Sequence, residues 1–113
     1  MARPGQVRQE SARPPSVARP TPALLDLLGR RWALRVLWEL SGSPLGFRTI
    51  QDRCDRMSSS VLRDRLAELT EAGVVGTDEA GRYRLTTHGA ELVELLAPLS
   101  SWAERWGRRM RRR

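Results

Sequence analysis

The sequence predicts a mainly α-helical domain that carries one small β-hairpin. Leucines recur at helical spacing in several segments of the 113-residue chain, and glycines or prolines end those segments. At residues 74–77 and 82–85, two short runs of strand-forming residues flank a four-residue loop that ends in Gly81. Such a loop between two short strands is typical of a hairpin.

The order of the elements follows from residues that start and stop helices. Ser58 is a strong N-cap for the fourth helix, and Gly73 is its expected stop. A threonine caps the long last helix, which should bend at Pro98 because proline removes a backbone hydrogen bond. The predicted helices span about residues 22–28, 32–40, 49–54, 59–72 and 87–106, the strands span 74–77 and 82–85, and residues 45–47 are a candidate edge strand.

Positive charge gathers at the two ends of the chain. The formal net charge is +7, and all twenty basic residues are arginine. Residues 1–21 carry a net charge of +3 and residues 105–113 carry +6, whereas residues 22–104 carry −2. The Pro- and Arg-rich segment 1–21 is predicted to be disordered, and residues 107–113 form an Arg-rich tail. The predicted folded domain is therefore residues 22–106, which is nearly neutral.

The composition argues against several classes of protein. Cys54 is the only cysteine, so an internal disulfide and a cysteine metal cluster are excluded. Cys54 follows Ile50 by one turn and is predicted to lie in the core, with a redox role as the alternative. Neither a membrane span nor a secretory signal is predicted, which suits a cytoplasmic protein. No catalytic motif stands out, so we expect neither an enzyme nor a metal or other cofactor.

The fourth helix presents two contrasting faces. Leu62, Leu66 and Leu69 follow the i, i+4, i+7 spacing of a buried stripe. A helix that enters the major groove of DNA needs small and hydrogen-bonding side chains on its outer face. The alternative is an ordinary solvated helix. The acidic residues in the C-terminal half of the helix favour this alternative for that half. The outer face of the N-terminal half contains Ser59, Ser60, Arg63, Asp64 and Ala67.

The hairpin offers a second basic surface. Side chains alternate along a strand, so Arg82 and Arg84 share one face, which suits phosphate contact, and Tyr83 packs toward the core. Asp78 and Glu79 at the tip would repel phosphates, and a merely solvated hairpin is the alternative. A capped helix followed by a β-ribbon and a further helix is the arrangement of a winged helix-turn-helix, which binds DNA.

Several short motifs occur in the order and at the spacing of a known family. They are Leu-Leu-Gly-Arg-Arg-Trp at residues 27–32, Pro-Leu-Gly-Phe at 44–47, Ser-Ser-Ser-Val-Leu-Arg-Asp-Arg-Leu at 58–66, Tyr-Arg-Leu-Thr-Thr-His-Gly at 83–89, and Trp-Gly at 106–107. Together they resemble the HxlR-type winged helix-turn-helix regulators of bacteria, over about residues 24–107. The first motif, for example, is similar to the family's Leu-Leu-Gly-Gly-Lys-Trp.

The resemblance implies a homodimeric transcriptional regulator with a three-helix core and with N- and C-terminal dimerisation helices. Its partners would be double-stranded DNA and a second copy of the chain, and a small-molecule effector could bind where apolar aromatics gather at the dimer interface. The candidate DNA-binding residues are Arg48, Ser58, Ser59, Ser60, Arg63, Asp64, Arg82 and Arg84. The candidate dimerisation residues are Leu24, Leu28, Leu95, Leu99, Trp102 and Trp106.

The chain also departs from the family pattern. Ser60 replaces a basic residue and Arg63 replaces a small polar one, so base preferences cannot be transferred. Redox-sensing members carry a cysteine before the first helix, and none precedes Leu24 here. Trp32 and Trp38 are predicted to be core residues. The alternative function is a winged helix that docks a protein partner, with arginine tails that touch nucleic acid indiscriminately.

Overall fold

The computed structural model describes residues 19–112, so most of the predicted N-terminal tail lies outside the described residues. The predicted fold class, mainly α with a small hairpin, is confirmed. The chain divides into two compact units, Met1–Arg31 and Trp32–Arg113. The elements in chain order are α1 (Pro20–Gly29), α2 (Ala33–Glu39), α3 (Phe47–Arg53), α4 (Ser59–Glu71), β1 (Val75–Thr77), β2 (Tyr83–Leu85) and α5 (Thr87–Arg111).

Helix α1 is the secondary structure described in the first unit. It begins at Pro20, two residues before the predicted start, because a proline suits the first turn, where its missing N–H would have no helical partner. It ends at Gly29, as the sequence predicts. Leu24 and Leu28 are four residues apart and therefore lie on the same face of α1.

The core of the second unit is built from α2, α3 and α4. Val36 of α2, Ile50 of α3 and Leu62 of α4 are fully buried, and the other buried residues of these helices surround them. The prediction that Trp38 belongs to this core is wrong, since its side chain is 43% exposed. Trp38 follows the two buried residues Val36 and Leu37, and the turn of α2 carries it outward.

Helix α3 begins earlier than predicted, with Gly46 as its N-cap and Phe47 as its first residue. Arg48, a candidate DNA-binding residue, therefore lies inside the first turn of α3. The predicted edge strand is reduced to a single bridge, in which Leu45 and Tyr83 exchange backbone hydrogen bonds of 2.9 and 2.8 Å. This bridge ties the chain before α3 to the hairpin.

The hairpin is antiparallel, with Val75 paired to Leu85 and Thr77 paired to Tyr83. It joins α5 closely, because a Cβ at Gly89 would collide with the carbonyl of Val74. Helix α5 continues through Pro98 to Arg111, five residues past the predicted domain end at residue 106. The arginines of its last turn suit a helix, because cations are favourable near the negative end of the helix dipole.

The buried thiol of Cys54 should make the folded protein less stable at alkaline pH. The side chain is fully buried, and loss of solvent raises the pKa of Cys54. The folded state therefore favours the neutral thiol, and this contribution is complete below the pKa of the unfolded thiol, about 8.5. Above that pH the unfolded state loses its proton first, so the free energy of unfolding should fall by up to about 1.4 kcal/mol per pH unit.

Urea unfolding at a series of pH values, compared with Cys54→Ala, measures this fall. The variant should be less stable at every pH because it leaves a cavity, but its stability should decline less between about pH 8 and pH 10. Equal declines in the two proteins would contradict the assignment of the pH dependence to Cys54.

Candidate nucleic-acid interface

The outer face of α4 is open to solvent, and its inner face is closed. The side chains of Leu62, Leu66 and Leu69 are at most 2% exposed. Ser58 caps the helix, and its Oγ accepts a hydrogen bond of 3.2 Å from the Val61 N–H. The predicted outward residues are all exposed, namely Ser59, Ser60, Arg63, Asp64 and Ala67. The two-faced helix is therefore present, with its serines at the exposed start.

The turn between α3 and α4 is unusually shaped. Asp55 and Arg56 both adopt the left-handed backbone conformation, with φ of 57° and 56°. Residues other than glycine visit this region rarely, so surrounding contacts must hold them there. The Arg56 N–H donates to the Gln51 carbonyl at 2.8 Å, and the Met57 N–H donates to the Cys54 carbonyl at 3.1 Å. The turn is thus fastened to the last part of α3.

Two side chains that the sequence pattern does not single out hold the same turn. Gln51 donates from Nε2 to the Met57 carbonyl and to the Ser59 Oγ, both at 2.9 Å. Arg35 of α2 donates to Glu39 at 3.0 Å and to the Arg53 carbonyl. The hydrogen bond with Glu39 is the main cause that raises the pKa of Arg35. The i,i+4 spacing of Arg35 and Glu39 is a local pattern, but it does not show that Arg35 also binds the Arg53 carbonyl, 18 positions away. The Gln51 partners, Met57 and Ser59, lie beyond the end of α3 and are likewise not marked by helical spacing.

Arg63 lies where α4 meets the start of α3. Its guanidinium carbon is 5.5 Å from the centre of the Phe47 ring, within the range of a cation–π interaction. Arg63 also lines a depression between α4 and the hairpin, together with Ala67, Thr77 and Tyr83. The structure therefore brings Arg63 and the hairpin to a common groove, with Tyr83 half-buried beside it.

The hairpin loop is organised around one carboxylate. Asp78 Oδ1 accepts from the backbone N–H groups of Ala80 and Arg82 at 2.9 Å each, and Oδ2 pairs with Arg82 Nε at 3.0 Å. The Arg82 N–H is the main cause that lowers the pKa of Asp78, and the Arg82 charge adds to it. Arg82 is therefore an ion-paired residue just before β2, whereas Arg84 projects from β2 and is exposed.

Helix α5 carries a long apolar surface that the second unit leaves uncovered. Leu95, Leu99, Trp102 and Trp106 are 72%, 54%, 53% and 48% exposed. The two tryptophan rings stack with their centres 5.9 Å apart. Next to this surface, α2 and α5 form a cleft of about 330 Å³. The residues lining the cleft are mainly apolar: Leu34, Arg35, Leu37, Trp38, Val93, Leu96, Leu99 and Ser100.

Metal-binding clusters and membrane-spanning helices do not occur in the described part of the chain. Among residues 19–112 there is no group of three or more His, Cys, Asp or Glu side chains that could hold a metal ion. Within the same residues, no helix has the length and apolar character needed to cross a bilayer.

Comparisons with known proteins agree with this arrangement. A model of the HxlR-like helix-turn-helix family matches residues 27–111. The uncharacterized HTH-type transcriptional regulator YvaP of Bacillus subtilis (strain 168) is 32% identical over 88 residues, which cover 73% of this chain and 82% of YvaP.

Two solved structures are also similar to this chain. Quinone-bound YodB from B. subtilis has a TM-score of 0.68 at 26% identity, and the match covers 82% of this chain and 99% of YodB. A possible HxlR family transcriptional factor from Thermoplasma volcanium GSS1 has a TM-score of 0.68 at 25% identity, and the match covers 75% of this chain and 82% of that one.

The role of Asp78 in the hairpin can be tested by its charge. The pKa of this carboxyl is depressed in the folded state, so its contribution is present above the unfolded pKa and is lost as pH falls through the folded value. Asp78→Asn should therefore be less stable than the parent at pH 7, and the two stabilities should converge in acid, well below about pH 4.

Thermal melts between neutral and acid pH measure this convergence. Glu79→Gln is the matched control, because it removes a charge from the same loop and leaves the Asp78 hydrogen bonds in place. If Glu79→Gln instead lowers the stability at pH 7 as much as Asp78→Asn does, the loss of loop charge explains both effects, and the hydrogen bonds of Asp78 are not needed.

Proposed function

The chain belongs to the HxlR-like helix-turn-helix family of transcriptional regulators, whose fold implies DNA binding, and on that premise we propose that it is a sequence-specific regulator that acts as a homodimer. The observation that carries the proposal is the outer face of α4. Its small and polar residues are exposed at the helix start, and the leucines opposite are buried. Such a helix can approach base edges closely in the major groove.

We assign base contact to the exposed residues of α4. The Arg63 guanidinium can donate two hydrogen bonds to the O6 and N7 atoms of a guanine. The Asp64 carboxylate can accept from a cytosine amine, and the hydroxyls of Ser59 and Ser60 can donate or accept. The attraction between Arg63 and the Phe47 ring would limit the directions that the guanidinium can take before DNA binds.

We assign backbone contact to residues that flank α4. Arg48 is exposed in the first turn of α3, and Ser58 lies at the exposed cap of α4. Arg84 and Arg82 extend the surface to the hairpin, the wing of the fold. Because Arg82 is paired with Asp78, its net effect on a phosphate should be weaker than that of Arg84, which makes its hydrogen bond to a backbone carbonyl.

Homodimerisation accounts for the apolar residues exposed on α5. A contiguous exposed apolar surface of this kind on a small protein marks an interaction site. The large side chains Leu95, Leu99, Trp102 and Trp106 would pack against a second copy across a two-fold axis, and Leu24 and Leu28 of α1 would take part. Two recognition helices would then read two half-sites of one operator.

The proposed site of action is the cytoplasm, where the DNA of a bacterial cell lies. The proposed regulatory ligand is an apolar small molecule that binds beside α5, where the cleft is lined by Leu37, Leu96 and Leu99. YodB, a structural relative, is known in a quinone-bound form. Covalent capture by the single cysteine of this chain is unfavourable, because Cys54 is fully buried and its raised pKa keeps it a thiol.

Selection of bound fragments from a pool of random DNA at physiological salt tests the proposed function. Enrichment of a motif with two related half-sites would support a dimeric, sequence-specific regulator. Binding without any enriched motif would favour the alternative, a protein-interaction module with indiscriminate arginine-mediated affinity. Absence of binding would rule out both kinds of nucleic-acid contact.

Two arginine variants separate base reading from backbone contact. Arg63→Ala should weaken binding to the selected motif by about 1–3 kcal/mol and relax the preference at one position of each half-site. Arg82→Ala should weaken all sequences alike and reduce the slope of log K against log salt by at most about 0.9 for each phosphate that the variant no longer neutralises. Equal losses from both variants on every duplex would contradict this division of roles.

One charge placed on the apolar face of α5 should prevent dimerisation. Trp102→Asp introduces an unpaired carboxylate into the proposed interface, which costs several kcal/mol when it is desolvated. Sedimentation equilibrium should show a dimer for the parent protein and a monomer for the variant. The control is Ser101→Asp, which places the same charge on the neighbouring residue, off the apolar stripe. A dimer that tolerates Trp102→Asp would place the interface elsewhere.

A further inference from the structure

The side-chain amide of Gln51 connects α3 to the first residue of α4. Gln51 is half-buried on α3, and its Nε2 lies 2.9 Å from both the Met57 carbonyl and the Ser59 Oγ. Met57 ends the turn and Ser59 begins α4. One amide group therefore fixes the start of α4 relative to α3.

The Met57 carbonyl determines which way the Gln51 amide points. A carbonyl oxygen can only accept a hydrogen bond, so the NH2 group must face Met57, and the amide oxygen cannot. The same NH2 group reaches Ser59, and its two hydrogens are then both used. Gln51 has no remaining N–H to donate to a ligand, whereas its amide oxygen can still accept a hydrogen bond. A double-mutant cycle with Ser59 distinguishes such a direct contact from an effect that passes through Ser59.

The amide also sets the polarity of the Ser59 hydroxyl. A serine hydroxyl has one hydrogen to donate and two lone pairs that accept. The Ser59 oxygen accepts from Gln51, so the hydroxyl hydrogen must point away from that amide. Ser59 is exposed, on the same outer face of α4 as Arg63. The hydroxyl is therefore prepared to donate a hydrogen bond outward.

We infer that Gln51 is a positioning residue for DNA recognition, which fixes Ser59 as a hydrogen-bond donor toward an acceptor atom of the duplex. The inference rests on the proposed function and deepens it. Acceptor atoms for such a donor occur on the phosphate oxygens and on the base edges of the major groove, namely purine N7, guanine O6 and thymine O4. Both offer the same chemistry, and a binding experiment can distinguish them.

The test is a double-mutant cycle on DNA affinity with the full-length chain. The probes are the motif recovered from random DNA and a scrambled duplex of equal length. Gln51→Met removes the amide with little change in volume, and Ser59→Ala removes the hydroxyl. Each single variant should weaken binding to the motif by about 5-fold, as expected for one hydrogen bond. The double variant should be no more than about 2-fold weaker than Ser59→Ala, because Gln51 acts through Ser59.

Two further variants control the cycle. Thr49→Val is matched to Gln51→Met, since it removes a polar group from the exposed part of α3 without change of shape, and it should alter affinity by less than about 2-fold. Ser59→Thr keeps the hydroxyl and should retain most of the parent affinity. If Gln51→Met does not fold, as judged by circular dichroism, Gln51→Ala takes its place in the same cycle.

The outcomes distinguish a phosphate contact from a base contact. They also distinguish failure of the Gln51 positioning role from failure of the proposed function. A loss on the motif and on the scrambled duplex alike assigns a phosphate to Ser59, and a loss on the motif alone assigns a base edge. Parent-like affinity of the Gln51 variant, or losses that multiply in the double variant, would overturn the positioning role while the motif binding of the parent protein stands. If the parent protein itself binds both duplexes equally, the proposed function fails, and the inference fails with it.

Discussion

Burial of the α4 leucines is the constraint on which the rest of the structure depends. Leu62, Leu66 and Leu69 lie among the best-buried side chains of the second unit, and full burial of each contributes about 1.5–3 kcal/mol. Because successive residues are 100° apart on a helix, fixing these three inward leaves the serines and Arg63 facing outward. The same packing that stabilises the domain thus selects the exposed face of α4, which is the face that we propose contacts DNA.

Orientation of that face depends on the turn before α4. Two consecutive residues, Asp55 and Arg56, hold a backbone conformation that costs energy. Gln51 from α3 and Arg35 from α2 bind on either side of them, and the fully buried Cys54 anchors the chain just before. Polar contacts and core packing therefore hold a turn that local preference would not produce. These contacts set the direction in which α4 leaves α3.

Helix α5 exposes apolar side chains that the packing of the second unit does not bury. Along α5, Val93 is buried near α2, whereas Leu95 and the two tryptophans further along are exposed. Leu95 stands between Val93 and Leu96, which line the cleft with α2, so it is exposed because it lies on another face of α5. The two tryptophans come after the last residue of α5 that lines this cleft, Ser100. This apolar surface becomes understandable if assembly, and not the folding of one chain, is what buries it.

The sequence by itself determined the order of the helices and hairpin strands and the two faces of α4, because capping, glycine stops and leucine spacing act over one or two turns. Ser58 caps α4 through its hydroxyl oxygen, and Gly73 follows the helix end with a φ of 82°, which a residue without Cβ adopts at little cost. Tertiary structure alone decided the start of α3, the exposure of Trp38 and the roles of Gln51 and Arg35. Those features depend on which groups distant segments bring together, and a hydrogen bond across a turn leaves no periodic trace in the chain. The spacing of Arg82 and Arg84 in the hairpin could be recognised in the sequence. The ion pair of Arg82 with Asp78 could not, because it forms only when the loop brings the two side chains together.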